Sequence, residues 1–297
     1  MLDDSMTQKL RAMPHDGNEY LDLLKRCLTA SIYEESGWKW LEPTGRKSDE
    51  PRTYSPVQYL KNCFHRWLLD YCRKRSLALV KKQPFRMDLR EDGRDKPWFG
   101  YTMAGHRRLD NVQECVETVL RENIPGDLIE TGVWRGGTTI LMRAVLKVHG
   151  ITNRTVWVAD SFEGLPPGRP NVDDADLSEV EFLKVSLEQV SANFAQFGLL
   201  DDHVRFLKGW FSETLPVAPI DQLAVLRLDG DLYDSTMDAL QNLYHRVSPN
   251  GFVIVDDYYA WNSCRQAVTD FCERQGLNPT MRRVDWTAVY WRVDHKS

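Results

Sequence analysis

Residues 126–139 read GDLIETGVWRGGTT, and this stretch decides the fold. A short apolar run ends in an acid, Glu130, and turns through Gly132, Gly136 and Gly137. It enters TTILMRAVLKVH (138–149), whose apolar residues recur at helical spacing. Strand, glycine turn and helix form the opening unit of a parallel α/β sheet. The same alternation continues downstream. VWVAD (156–160), VRFLKG (204–209), AVLRLDGD (224–231) and FVIVDD (252–257) read as buried strands, and SLEQVSANFAQFG (186–198), STMDALQNLYHRV (235–247) and SCRQAVTDFCERQG (263–276) as the helices between or after them. MRRV (281–284) and TAVYWRV (287–293) predict a C-terminal hairpin that closes the sheet with antiparallel pairing.

Upstream the pattern changes near residue 110. Amphipathic stretches at 20–33 and 56–82 predict helices, separated by Pro- and Gly-bearing segments such as EPTGRKSDEPRTYSP and REDGRDKPWFG. Asp110 is the expected N-cap of a helix over NVQECVETVLREN. The expected organisation is therefore a helical lid and dimer-contact region, 1–109, before an α/β core, 110–297. The basic, apolar stretch 66–82 reads as a solvated helix face, with a docking site for an acidic group as the alternative.

Composition excludes several classes. At 297 residues and 42% hydrophobic, the chain can bury a large core, yet its apolar runs fall far short of the roughly 20 residues of a spanning helix. A formal charge of −5 argues against tracking a nucleic-acid backbone. The six cysteines lack metal or redox spacing, and the N-terminal residues lack a signal-peptide pattern, so a cytoplasmic enzyme with ordinary thiols is expected.

Ligands of open α/β sheets bind beyond the carboxyl ends of the strands, and those ends are acidic here: Glu130, Asp160, Asp229, Asp231, Asp256 and Asp257. The ETGVWRGG turn lacks the GxGxxG dinucleotide spacing, and a carboxylate before the turn repels pyrophosphate and attracts a cation. Asp160 can accept from ribose hydroxyls. A ligand with a cationic amino-acid end and a ribose fits both, and S-adenosylmethionine is the common one. Trp210 is placed to cover an adenine face or to pack in the core. Asp229, Asp256 and Asp257 form a second site. Crowded carboxylates are costly unless a cation sits among them, and oxygen-only ligands favour Mg²⁺ or Mn²⁺.

With these residues in view, ETGVWRGG, TVWVADSFEGLP, GLLDDHVRFLKGWFSETLP, LAVLRLDGDLYDSTMDAL, SPNGFVIVDDY and VYWR resemble, in order and spacing, the macrocin and mycinamicin III O-methyltransferase family. The match runs from YLDLLKR at Tyr20 through TMAGHRRLDNVQECVE to the C-terminus. The resemblance implies a class I methyltransferase fold that uses S-adenosylmethionine and Mg²⁺ to methylate a sugar hydroxyl of a glycosylated natural product; a homo-oligomer is the expected assembly. It implies metal ligation by Asp229, Asp256 and Asp257, with Asp229 also the proton acceptor. It implies cofactor contacts at Thr102, Met103, Glu130, Thr131, Gly132, Val133, Trp134, Asp160, Ser161, Gly209 and Trp210. The chain departs from the family pattern over 37–100, at Tyr101 where other members carry a His, and at the bulky Trp286. These positions bear on the acceptor, and a catechol-like phenol is the alternative acceptor.

Overall fold

The computed structural model describes residues 15–33, 39–40, 56–75, 77, 79–95 and 97–294. The first 14 residues and the Pro-bearing stretch 41–55 lie outside that description. The core is a seven-stranded sheet of β3 (Asp127–Thr131), β4 (Val156–Asp160), β5 (Val204–Lys208), β6 (Leu223–Leu228), β7 (Val247–Val255), β8 (Arg282–Arg283) and β9 (Val289–Arg292). Its order is β5-β4-β3-β6-β7-β9-β8. The first five of these strands run parallel, and β9 joins β7 and β8 antiparallel, as the terminal hairpin pattern predicts. A two-stranded antiparallel pair, β1 (Lys39–Trp40) and β2 (Val80–Lys81), stands apart.

Helices cover both faces of the sheet, which explains why β6 is buried at every position. On one face lie α1 (His15–Leu28), α4 (His106–Arg121), α5 (Gly137–Val148) and α6 (Leu187–Gln196), packed through Leu21, Leu109, Val116, Ile140, Val145 and Phe194. On the other lie α8 (Tyr233–Leu243) and α9 (Asn262–Gln275), packed through Leu240, Val268 and Phe271 against Leu226 and Val253. Short helices α3 (Met87–Glu91) and α7 (Phe211–Thr214) and the longer α2 (Pro56–Arg73) complete the α-helices among the described residues, beside 3-10 helices at Glu181–Leu183 and Tyr244–Arg246. None of the described helices is long and apolar enough to cross a membrane.

One helix start differs from its sequence reading. α4 begins at His106 with Gly105 as N-cap, so Asp110 lies inside the helix. Its carboxylate instead pairs with Lys25 of α1 at 2.5 Å. An Asp before an amphipathic run is a capping signal only when the preceding residues leave the helix, and His106, Arg107, Arg108 and Leu109 continue it. The helix therefore crosses residue 110, where the two sequence regimes meet.

Sheet order places the site. Chain connections reverse direction between β3 and β6, and at such a reversal the loops leaving the two strands separate to open a crevice. Adjacent backbone bonds bring the strand ends level: the Asp229 N–H donates to Thr131 O at 2.9 Å, and the Asp256 N–H to Leu228 O at 2.9 Å.

Candidate active site

A cavity of about 620 Å³ opens over this crevice. Thr102, Met103, Glu130, Gly132, Val133, Trp134, Asp160, Ser161, Gly209, Trp210, Asp229, Asp256 and Asp257 all line it. Of the cofactor and metal positions that the resemblance implies, Thr131 alone is outside the lining; it is buried at the end of β3.

The glycine turn is dictated by a close approach. A Cβ on Gly132, whose φ is +90°, would lie 1.9 Å from the Asp229 carbonyl oxygen. Only glycine allows β3 and β6 to end side by side there. Asp160 holds the turn from the next strand: its Oδ2 accepts the Val133 N–H and its Oδ1 the Phe162 N–H, each at 2.8 Å. Both oxygens are thus engaged with backbone. Burial pushes the Asp160 carboxyl above its ordinary range despite those bonds. The Ser161 hydroxyl donates to Gly164 O at 2.6 Å and shapes the next loop. Trp210 is 36% exposed and faces the cavity, so the core-packing alternative does not hold. Trp134 has a φ of +47° and donates its indole N–H to Phe182 O at 2.8 Å. Thr102 sits beside the start of α5, its hydroxyl taking the Ala104 N–H at 3.0 Å.

The acidic half of the site is organised by arginines. Arg227, fully buried in β6, reaches Glu130, Asp229 (2.7 Å) and Asp256 through its guanidinium group. Arg108 of α4 reaches the other oxygen of Asp256. Sequence reasoning assigned the charge among these acids to a bound ion and Glu130 to the ligand's cation. The structure supplies two guanidinium groups first, from a residue inside an apolar strand and a residue about 150 positions away in the chain. Lone arginines in a helix and a strand carry no local signal of that role.

The resulting electrostatics divide the carboxylates. Burial opposes ionisation of Asp256, yet Arg108 and Arg227 outweigh it and hold its carboxyl below the usual range. Burial pushes Glu130 up to about 8 against the pull of Arg227, and its Oε2 is buried without a hydrogen-bond partner. Burial, then the charge of Asp229, raises Asp231 to about 7, while its Oδ1 accepts the Trp261 indole N–H at 2.7 Å. Asp257 is raised well above the ordinary carboxylate range, by burial and then by Asp231, Asp229 and Asp256, and its Oδ2 is buried with no partner. One oxygen from each of Asp229, Asp256 and Asp257 lies within 4.8 Å of the others. This all-oxygen set, with one orphaned member, is chemically suited to a hard divalent cation.

The remaining wall was not foreseen. Leu165, Pro166, Pro167, Asp173 and Leu183 line the cavity from the long segment between β4 and α6. Its length, well beyond the usual few residues of a βα connection, is the available sequence signal. Acids tether the segment across the mouth: Asp173 accepts the Tyr233 N–H at 2.9 Å, and Asp174 the Ser263 N–H at 2.8 Å at the start of α9. Gly93, Asp95, Trp286 and Thr287 also line the cavity.

Comparisons with known proteins agree with this architecture. The family model described as macrocin O-methyltransferase (TylF) matches residues 17–293. An 8-demethyl-8-(2,3-dimethoxy-alpha-L-rhamnosyl)-tetracenomycin-C 4'-O-methyltransferase of Streptomyces olivaceus is 47% identical over 278 residues, 92% of each chain. The mycinamicin III 3''-O-methyltransferase of Micromonospora griseorubida is 47% identical over 222 residues, 72% of this chain and 87% of its own. Among solved structures, the O-methyltransferase NovP superposes with a TM-score of 0.76 at 40% identity, covering 94% of this chain and 100% of its own. The chain belongs to the macrocin O-methyltransferase family and is an O-methyltransferase, and family membership implies S-adenosylmethionine as its methyl donor.

Proposed function

We propose that the enzyme methylates a hydroxyl of a sugar, a deoxysugar in particular, on a glycosylated secondary metabolite, with Mg²⁺ at Asp229, Asp256 and Asp257. The supporting observation is the convergence of those three carboxylates, one orphaned, on the cavity that the Glu130 to Trp134 turn also lines. The relatives support the acceptor class, since the Streptomyces olivaceus enzyme is named for a rhamnosyl substrate.

Each residue then has a task. The unpartnered Glu130 Oε2 would hold the donor's ammonium group, Asp160 its ribose, and Trp210 its adenine, while Thr102, Met103, Val133, Trp134, Ser161 and Gly209 complete the pocket. A divalent ion bound by the carboxylates supplies Lewis acidity, lowering the pKa of a nearby hydroxyl. Asp229, with a side chain 32% exposed where Asp256 is nearly closed off, is the carboxylate best placed to take the hydroxyl proton as oxygen attacks the donor's methyl carbon. Holding the oxygen and the methyl in line removes much of the entropic barrier.

Residues 1–109 act in this reading as a lid and as a contact between copies. Gly93, Asp95, Thr102 and Met103 reach the cavity, and α2 exposes Val57, Tyr59, Leu60, Phe64 and Trp67. The deciding experiment is a panel of glycosylated natural products and catechols assayed with and without EDTA, following S-adenosylhomocysteine release. Methylation of a glycoside that stops on chelation and returns with Mg²⁺ is expected. Turnover of catechols alone, or full activity in verified metal-free buffer, overturns the acceptor or the metal respectively.

A further inference from the structure

Arg108 does more than neutralise Asp256. It is 7% exposed at the start of α4, and its guanidinium group meets three segments at once. Nη1 donates to Asp256 Oδ2, Nε lies 3.0 Å from Asp285 Oδ2 in an ion pair without hydrogen-bond alignment, and Nη2 donates weakly to the Met103 carbonyl at 3.5 Å. Met103 and Asp256 line the cavity, and Asp285 directly precedes the lining pair Trp286 and Thr287.

Asp285 in turn holds its own loop. Its Oδ1 accepts the Thr287 N–H at 2.9 Å, the Thr287 hydroxyl at 3.2 Å and the Ala288 N–H at 2.9 Å. Trp286 is fixed from outside, donating its indole N–H to Asp92 O at 2.6 Å with the Arg94 guanidinium carbon 4.6 Å from its ring centroid. Room for the arrangement comes from Gly93, where a Cβ would lie 2.2 Å from Arg108 Nη2. A planar guanidinium fork can span two carboxylates at a fixed separation, which a single ammonium cannot do.

We infer that Arg108 is a positioning residue for methyl transfer, setting the Trp286–Thr287 wall at a fixed distance from the Asp256 carboxylate. The inference rests on the reading of Asp229, Asp256 and Asp257 as a metal cluster beside the acceptor. Two partners give two separable effects. Loss of the Asp285 contact frees the wall and weakens acceptor binding. Loss of the Asp256 contact disturbs the carboxylate cluster and slows transfer.

Three full-length variants test this: Asp285→Asn, Arg108→Lys and Arg108→Met, assayed with a rhamnosyl tetracenomycin and, alongside, catechol. Asp285→Asn is expected to raise acceptor KM about tenfold with a smaller change in kcat. Arg108→Lys keeps one contact, so it should recover most of the kcat that Arg108→Met loses while sharing the raised KM of Asp285→Asn. Paramagnetic resonance of Mn²⁺ bound without substrates gives a readout independent of turnover: an altered line shape in Arg108→Met and a wild-type one in Asp285→Asn. An unshifted acceptor KM in Asp285→Asn, or a wild-type Mn²⁺ spectrum in Arg108→Met, overturns the inference. If Arg108→Met does not fold, the KM and kcat split of the other two decides. Wild-type protein that binds no Mn²⁺ refutes the metal reading instead, and turnover of catechol alone refutes the sugar reading; the split stays measurable in either case.

Discussion

The two halves of the cleft are built differently. On the donor side, one continuous stretch, Glu130 to Gly137, supplies most of the turn, and apart from the Glu130–Arg227 ion pair it is held by hydrogen bonds with a backbone group on one side, those of Asp160, Trp134, Arg135 and Asn193 among them. On the carboxylate side, Asp229, Asp256, Asp285, Arg108 and Arg227 come from separate strands, a helix and a loop, and charge holds them together. A site made from local backbone geometry tolerates polar change around it and fails at its glycines. A site made from converging charges fails when any one partner is left buried alone.

That contrast sets the order of expected effects. Arg227→Met should be the most damaging, because it strands the Asp229 and Asp256 carboxylates without their shared cation. Stability should fall by about 3–5 kcal/mol in denaturant titration, and a loss below about 1 kcal/mol would mean that the acids are neutral in the wild type. Asp229→Asn should lower kcat by about 10²- to 10³-fold, the usual range for a general base. S-adenosylhomocysteine affinity by calorimetry should stay within a few-fold, since Asp229 lies on the other half of the cleft. Near-normal turnover would remove its proton-accepting role.

On the donor side, Gly132→Ala should cost roughly 2–3 kcal/mol, from strain at positive φ and from contact with the Asp229 carbonyl. Here donor affinity should fall together with stability, the reverse of Asp229→Asn. Equal losses of donor affinity in both variants would erase the distinction between the halves. The last effect is on pH dependence. Glu130 titrates near 8 in the folded protein, above the ordinary glutamate value, so the folded state holds a proton that the unfolded chain has released. Stability therefore falls as pH rises through this window, by roughly a few degrees of melting temperature between about pH 5 and 8. Asp231, raised to about 7, adds to the slope in the same window, so Glu130→Gln should reduce it, and an unchanged slope would place the titration elsewhere.

Much of this was legible in the sequence, and the limits have physical causes. The strands and the C-terminal hairpin could be read because burial on both faces demands unbroken apolar runs bounded by turns. The cavity-facing acids were legible because the ends of parallel strands point to one edge. The start of α4 was misread because a capping residue type does not reveal whether the preceding backbone is already helical. The wall at 165–183 was missed because irregular segments have no periodicity, and its tethers at Asp173 and Asp174 depend on helix N-termini 60 to 89 residues away.

By itself, then, the sequence determined the order of strands and helices, the glycine turn and the positions of the strand-end acids, since each follows from neighbours within a few residues. Tertiary structure alone decided which cations those acids meet. Arg227 reaches from its strand to acids of the strands on either side and Arg108 crosses from a helix, and such long-range electrostatic pairing depends on distances in space that spacing along a chain does not encode.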